Sequence, residues 1–142
     1  MRAIGLVVVL ALALLSATAC GGSSESAADK AKSQACDAIS DIETQITTLK
    51  GLPLATSSVD TAKTALQAIQ TDVKTISDAA PTVGGDVKSQ LQTANAAFKT
   101  SVQQTAQSVT SATSLTSAAT AISTAGTTLE TSYQAAFSSI KC

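Results

Sequence analysis

Asp37, Asp41 and Glu43 are the nearest approach to a reactive cluster in this chain. Two acids four residues apart share one face of a helix and repel weakly. Such a group could ligate a cation or pass a proton to a substrate. Calcium, however, takes about six to eight oxygens from a loop shaped for it, and acid–base work needs a pocket that shifts one pKa. A solvated face near a helix start, where negative charge is favoured, accounts for all three residues more simply. The 142-residue sequence contains no histidine. That excludes Ser-His-Asp and Cys-His activation of a nucleophile and any imidazole metal ligand. Gly84-Gly85 belongs to neither of the glycine-rich phosphate-binding patterns. No catalytic set and no metal or cofactor site is expected.

Tyr133 and Phe137 are four apart, one on an apolar seam and one beside it, and Phe98 sits on an earlier segment. Core packing is their expected role, with the Tyr hydroxyl at the rim. The alternative is an apolar cavity between helices, lined by these three rings, that would hold a lipid or acyl chain.

The remaining chemistry is that of three cysteines, Cys20, Cys36 and Cys142. Cys20 lies in the run Leu-Leu-Ser-Ala-Thr-Ala-Cys-Gly, residues 14–21, behind Arg2 and an apolar stretch from Ala3 to Leu15. That stretch is shorter than the ~20 residues a spanning helix needs and suits the roughly 7–15-residue core of an export signal. Over residues 1–20 the sequence resembles bacterial lipoproteins. Ala17, Thr18, Ala19 and Cys20 occupy the places of their cleavage motif, with Ala17 where Leu is usual. The resemblance implies a signal peptide at 1–19 and a lipidated amino terminus at Cys20. Acyl chains of the palmitate type, more than one on one terminus, would anchor the protein stably to the outer face of the cell membrane. Gly21-Gly22-Ser23-Ser24 opens a flexible tether read as extending through Ala28. The other two cysteines, an even pair in an exported chain, read as a disulfide, Cys36–Cys142.

Without residues 1–19, 123 residues remain, with eight Lys, ten acidic residues and no Arg. That length suits one modest domain. A net charge of −2 argues against nucleic acid, whose binding requires a basic patch. Nor does it draw the chain towards an anionic membrane surface. Lys without Arg also lacks the planar fork that grips phosphate and carboxylate bidentately.

Four segments must position these residues, all patterned as helices. Ala35, Ile39, Ile42, Ile46 and Leu49 step by four and three, a heptad seam. Gly51, read as a left-handed helix terminus, and Pro53 stop it. Ser57 or Ser58 is expected to cap the second helix, with Asp60 in its first turn. The second seam is Val59, Ala62, Leu66, Ile69, Val73, Ile76 and Ala80, ended by Pro81 and Gly84-Gly85. The third opens at Asp86 and carries Val87, Leu91, Ala94, Phe98, Val102, Thr105 and Val109. The fourth carries Leu115, Ala119, Ile122, Gly126, Leu129, Tyr133, Ala136 and Ile140.

Residues 110–114 hold no Gly or Pro, so a turn there competes with one continuous helix from about Asp86 to Ile140. The disulfide decides between them. Four helices running up, down, up and down return the chain end to the level of Cys36, whereas three leave it at the far end. Bridged Cα atoms must lie within about 7 Å. The expected fold is all-α: an antiparallel four-helix bundle over 29–142, closed by one disulfide, with helices of roughly 22–26 residues by these boundaries.

Ser, Thr and Gln fill most outward positions, and from Thr100 to Ile140 the only charged residue is Glu130. This exterior keeps the chain soluble or carries O-linked sugars; composition alone favours the former. The expected product is a lipid-anchored, extracytoplasmic, non-catalytic module that meets an envelope protein, with carriage of an apolar ligand as the alternative.

Overall fold

The computed structural model describes residues 25–142 except Leu54; the stretch 1–19 expected to be a signal peptide, Cys20, and Gly21–Ser24 of the expected tether lie outside the described residues. Four helices follow one another: α1 (Ala27–Lys50), α2 (Thr56–Ala79), α3 (Asp86–Thr110) and α4 (Leu115–Phe137). The short connections turn each helix back on its predecessor. Pairs between α1 and the chain's last segment establish the sense: Lys50 meets Glu130, Glu43 meets Tyr133, and Cys36 meets Cys142. As one number falls the other rises, so first and last elements are antiparallel. Neighbours pack in a closed ring, and α2 reaches α4 across the diagonal. This is an all-α, antiparallel four-helix bundle, the disulfide included.

Each boundary has a local cause. α1 begins at Ala27, inside the stretch read as tether, because the Ser26 hydroxyl accepts from the Asp29 amide and donates to its carboxylate at 2.6 Å. Gly51 ends α1 in a right-handed conformation (φ −86°), not the left-handed one expected; its amide closes the last turn on Thr47 and Thr48. Neither Ser57 nor Ser58 caps α2. Its N-cap is Ala55, without a side-chain bond, and Ser58 turns inward, buried, to donate to the Pro53 carbonyl. Starting at Thr56 also leaves no acid in the first turn, so Asp60 falls beyond it. Between α2 and α3, Gly85 at φ +66° makes the reversal that a side chain would strain.

The turn before α4 forms without Gly or Pro because hydroxyls replace them. Thr110 and Ser111 donate to the Gln107 carbonyl, while Ser114 and Ser117 complete a capping box at the start of α4. α4 then ends at Phe137, short of Ile140.

Every residue of the first seam is buried, and so are Ala62 to Ala80 of the second and Leu91 to Val109 of the third. Within the core Asn95, 3 % exposed, donates from Nδ2 to the Val73 carbonyl at 3.0 Å and the Ser77 hydroxyl at 2.8 Å. Its Oδ1 is buried without a partner, a cost that any sliding of α3 along α2 would deepen by freeing Nδ2 too.

The fourth seam fits least well: Ile122, Gly126 and Leu129 are buried, but Ala119, Tyr133, Ala136 and Ile140 are half-buried, Ala118, Ala125 and Phe137 beside the seam are buried instead, and Leu115 is 49 % exposed. Lys50, the last residue of α1, backs onto Gly126. About three turns of α4, some 16 Å, therefore precede the level at which α1 stops. Leu115 has no α1 side chain opposite it.

Gly126 itself is a point of close approach. A Cβ there would lie 2.8 Å from Lys50 Cγ and 3.3 Å from its backbone nitrogen. Alanine is the better helix former by about 1 kcal/mol, but overpacking typically costs ~1–3 kcal/mol. Gly126→Ala should therefore lose about 1 kcal/mol in urea unfolding. A gain would show that the Lys50 end of α1 gives way freely.

Candidate functional site

Cys20 lies outside the described residues. The other two cysteines are joined: Cys36 in α1 and Cys142, 106 residues later, with Cα atoms 5.6 Å apart. The bridge ties the segment after α4 to α1 at the end of the bundle where the described chain begins. Cys142 is exposed and Cys36 half-buried.

The three aromatic rings sequence reasoning singled out also come together. Phe98 is fully buried, with Phe137 centred 5.4 Å and Tyr133 6.3 Å away, both edge-on. Phe137, placed beside the seam by its spacing, is the more deeply buried of the α4 pair at 4 %. Tyr133 is half-buried and turns its hydroxyl towards Glu43 of α1, 3.5 Å away. Burial raises the Tyr133 pKa, and the charge of Glu43 and the hydrogen bond to it act in the same direction. The rings spend their faces and edges on each other. An acyl chain between the helices would have to part them.

The carboxylates do not stay together. Asp37 and Asp41 line a shallow groove between α1 and α2, whereas Glu43 faces α4. The groove instead adds Asp72 from α2, a neighbour that spacing along one helix could not reveal. Partial burial, and secondarily the charge of Asp41, raises the Asp72 pKa. Lys30 and Lys74 stand nearby, Lys30 in the groove wall and Lys74 paired with Asp78. Among the described residues no group of three or more acids or cysteines is arranged to hold a metal ion.

A raised native pKa means that the folded state holds the Asp72 proton more tightly than the unfolded chain does. The associated stability is present below the ordinary value of 3.8 and is lost as pH rises through the native pKa. Asp72→Asn should therefore stabilise the fold at pH 7, by a few tenths of a kcal/mol given solvent screening, and leave it unchanged at about pH 3. Melting curves of both proteins at the two pH values check the sign.

Among the described residues no helix is long and apolar enough to cross a membrane. Comparison with protein-family models, with curated proteins and with solved structures finds no match for the chain.

Proposed function

We propose that this is a lipid-anchored, extracytoplasmic helical bundle whose work is structural or one of partner contact rather than catalysis. The Cys36–Cys142 disulfide carries the reading. Such bonds form and persist where thiols are oxidised, as they are outside the cytoplasm. That compartment agrees with the export signal and lipidation motif ending at Cys20. The bridge also holds Cys142 near the end of the bundle where α1 begins, and a protein anchored at Cys20 would extend α1 and α4 outward from the membrane. The non-catalytic part of the reading rests on side chains already committed: the aromatic rings to one another, and Lys50 to Glu130 at 2.7 Å.

Metabolic labelling with an alkyne fatty acid tests the anchor. Label should appear on the wild-type protein in the membrane fraction, and Cys20→Ala should abolish both label and fractionation. Unlabelled wild-type protein would refute lipidation. For the second half of the reading, crosslinking on intact cells should recover one defined envelope protein; monomer alone, at good crosslinking yield, would contradict it.

A further inference from the structure

Asn95 interrupts the buried face of α3, and the amide nitrogen of its side chain reaches across to α2. The two acceptors it meets there, the Val73 carbonyl and the Ser77 hydroxyl, lie one turn apart, so the amide straddles that turn. They are unequal as landmarks. Every turn of a helix presents a carbonyl, whereas a hydroxyl must be encoded. Four residues before Ser77 on the same row stands Val73, and four after it Pro81, and neither side chain accepts a hydrogen bond. If α3 slid by one turn along α2, Asn95 would find another carbonyl but no hydroxyl.

The apolar seams make no such distinction. Those of α2 and α3 both repeat at three and four residues, so a slide of about 5.4 Å sets apolar side chains against apolar side chains again. The connection between the two helices includes Gly84 and Gly85, each with open space where a side chain would stand. The disulfide and the Lys50–Glu130 pair tie α1 to α4 and its following segment; among the described residues no ion pair or disulfide joins α2 to α3.

We propose that Asn95 and Ser77 form a register key, which holds α3 to one alignment on α2 and lowers the stability of the bundle in doing so. The unpartnered Oδ1 of Asn95 is the source of that loss. A single asparagine in a coiled-coil seam acts in the same sense, fixing alignment while weakening the assembly. Leucine at position 95, close to asparagine in shape, removes the loss and the key together. The key belongs to the bundle itself and does not depend on lipid anchoring.

Electron–electron distance measurement tests it on the oxidised chain produced without residues 1–20. Spin labels are attached through Lys63→Cys in α2 and Lys88→Cys in α3, both exposed positions, with the Cys36–Cys142 bridge verified by mass spectrometry. With the key intact the labels should give one distance. Asn95→Leu should raise the urea midpoint and add a second maximum displaced by about 5 Å, the rise of one turn. Ser77→Ala, a change at an exposed position that leaves the apolar core untouched, should split the distribution as well. Ser77→Thr, which keeps a hydroxyl in the row, should retain the single maximum. A single, unmoved maximum in either Asn95→Leu or Ser77→Ala would overturn the proposal. So would a lower urea midpoint for Asn95→Leu, which would make the amide a stabilising contact instead of a key.

Discussion

Replacing Cys36 and Cys142 together by serine is expected to lower the melting temperature by roughly 10–15 °C while leaving the helical circular dichroism at 20 °C nearly intact. The bridge closes a loop of 106 residues, for which loop entropy alone gives about 4.7 kcal/mol. Delivered values are usually ~2–4 kcal/mol, and a domain of this size shifts by about 4 °C for each. The effect should fall hardest on α4. That helix is largely Ser, Thr and Ala, Ser and Thr being indifferent helix formers, and its first turns lack a partner in α1. The disulfide holds the chain beyond its other end against α1. Reduction in native buffer should reproduce the double-serine result. A melting temperature unchanged within about 3 °C would mean that the bridge is incidental to the fold.

How much of this fold was legible depends on which physical term decided each feature. The first three seams could be read because burial is set by helical spacing: Ile42, Leu49, Ile69, Ile76, Leu91 and Val102 are all essentially inaccessible. The four-helix count could be read because a covalent distance limit excluded the alternative. Features decided by a single hydroxyl were less visible. Ser26 and Ser58 look alike in sequence, each a serine near a helix start. One caps α1, while the other is buried and bonds backwards to Pro53. Only the packing of Ser58 under the connection separates them.

Leu115 was misread for a different reason. Its spacing is that of a core residue, but spacing along one helix says nothing about where the neighbouring helix stops. The same limit applies to the carboxylates. Periodicity put Asp37 and Asp41 on one face correctly, and it could not show that Asp72 of α2 lies against them or that Glu43 turns to Tyr133. Pairwise register between helices is set by close contacts such as Gly126 against Lys50 and Asn95 against Val73. Those contacts have no periodic signature.

Phe98→Ala is expected to be the most damaging single substitution, costing about 3–5 kcal/mol. Phe98 is wholly inaccessible, and its ring is the one that both α4 aromatics meet edge-on. Truncation removes the largest fully buried side chain among the described residues and leaves Phe137 and Tyr133 facing a void. The cost is a large part of the ~5–15 kcal/mol that holds a domain of this kind together. Phe98→Leu, which keeps most of the volume, should lose much less, about 1–1.5 kcal/mol. Tyr133→Phe should be almost silent, since it gives up only a long hydrogen bond at the rim. The order Ala far below Leu, with Tyr133→Phe near wild type, follows from packing and can be read from urea unfolding of the oxidised chain. If Phe98→Ala instead cost under about 1 kcal/mol, the rings would not be load-carrying core. Space between α3 and α4 would then have to be available to a guest, and the apolar-carrier reading would displace the one proposed above.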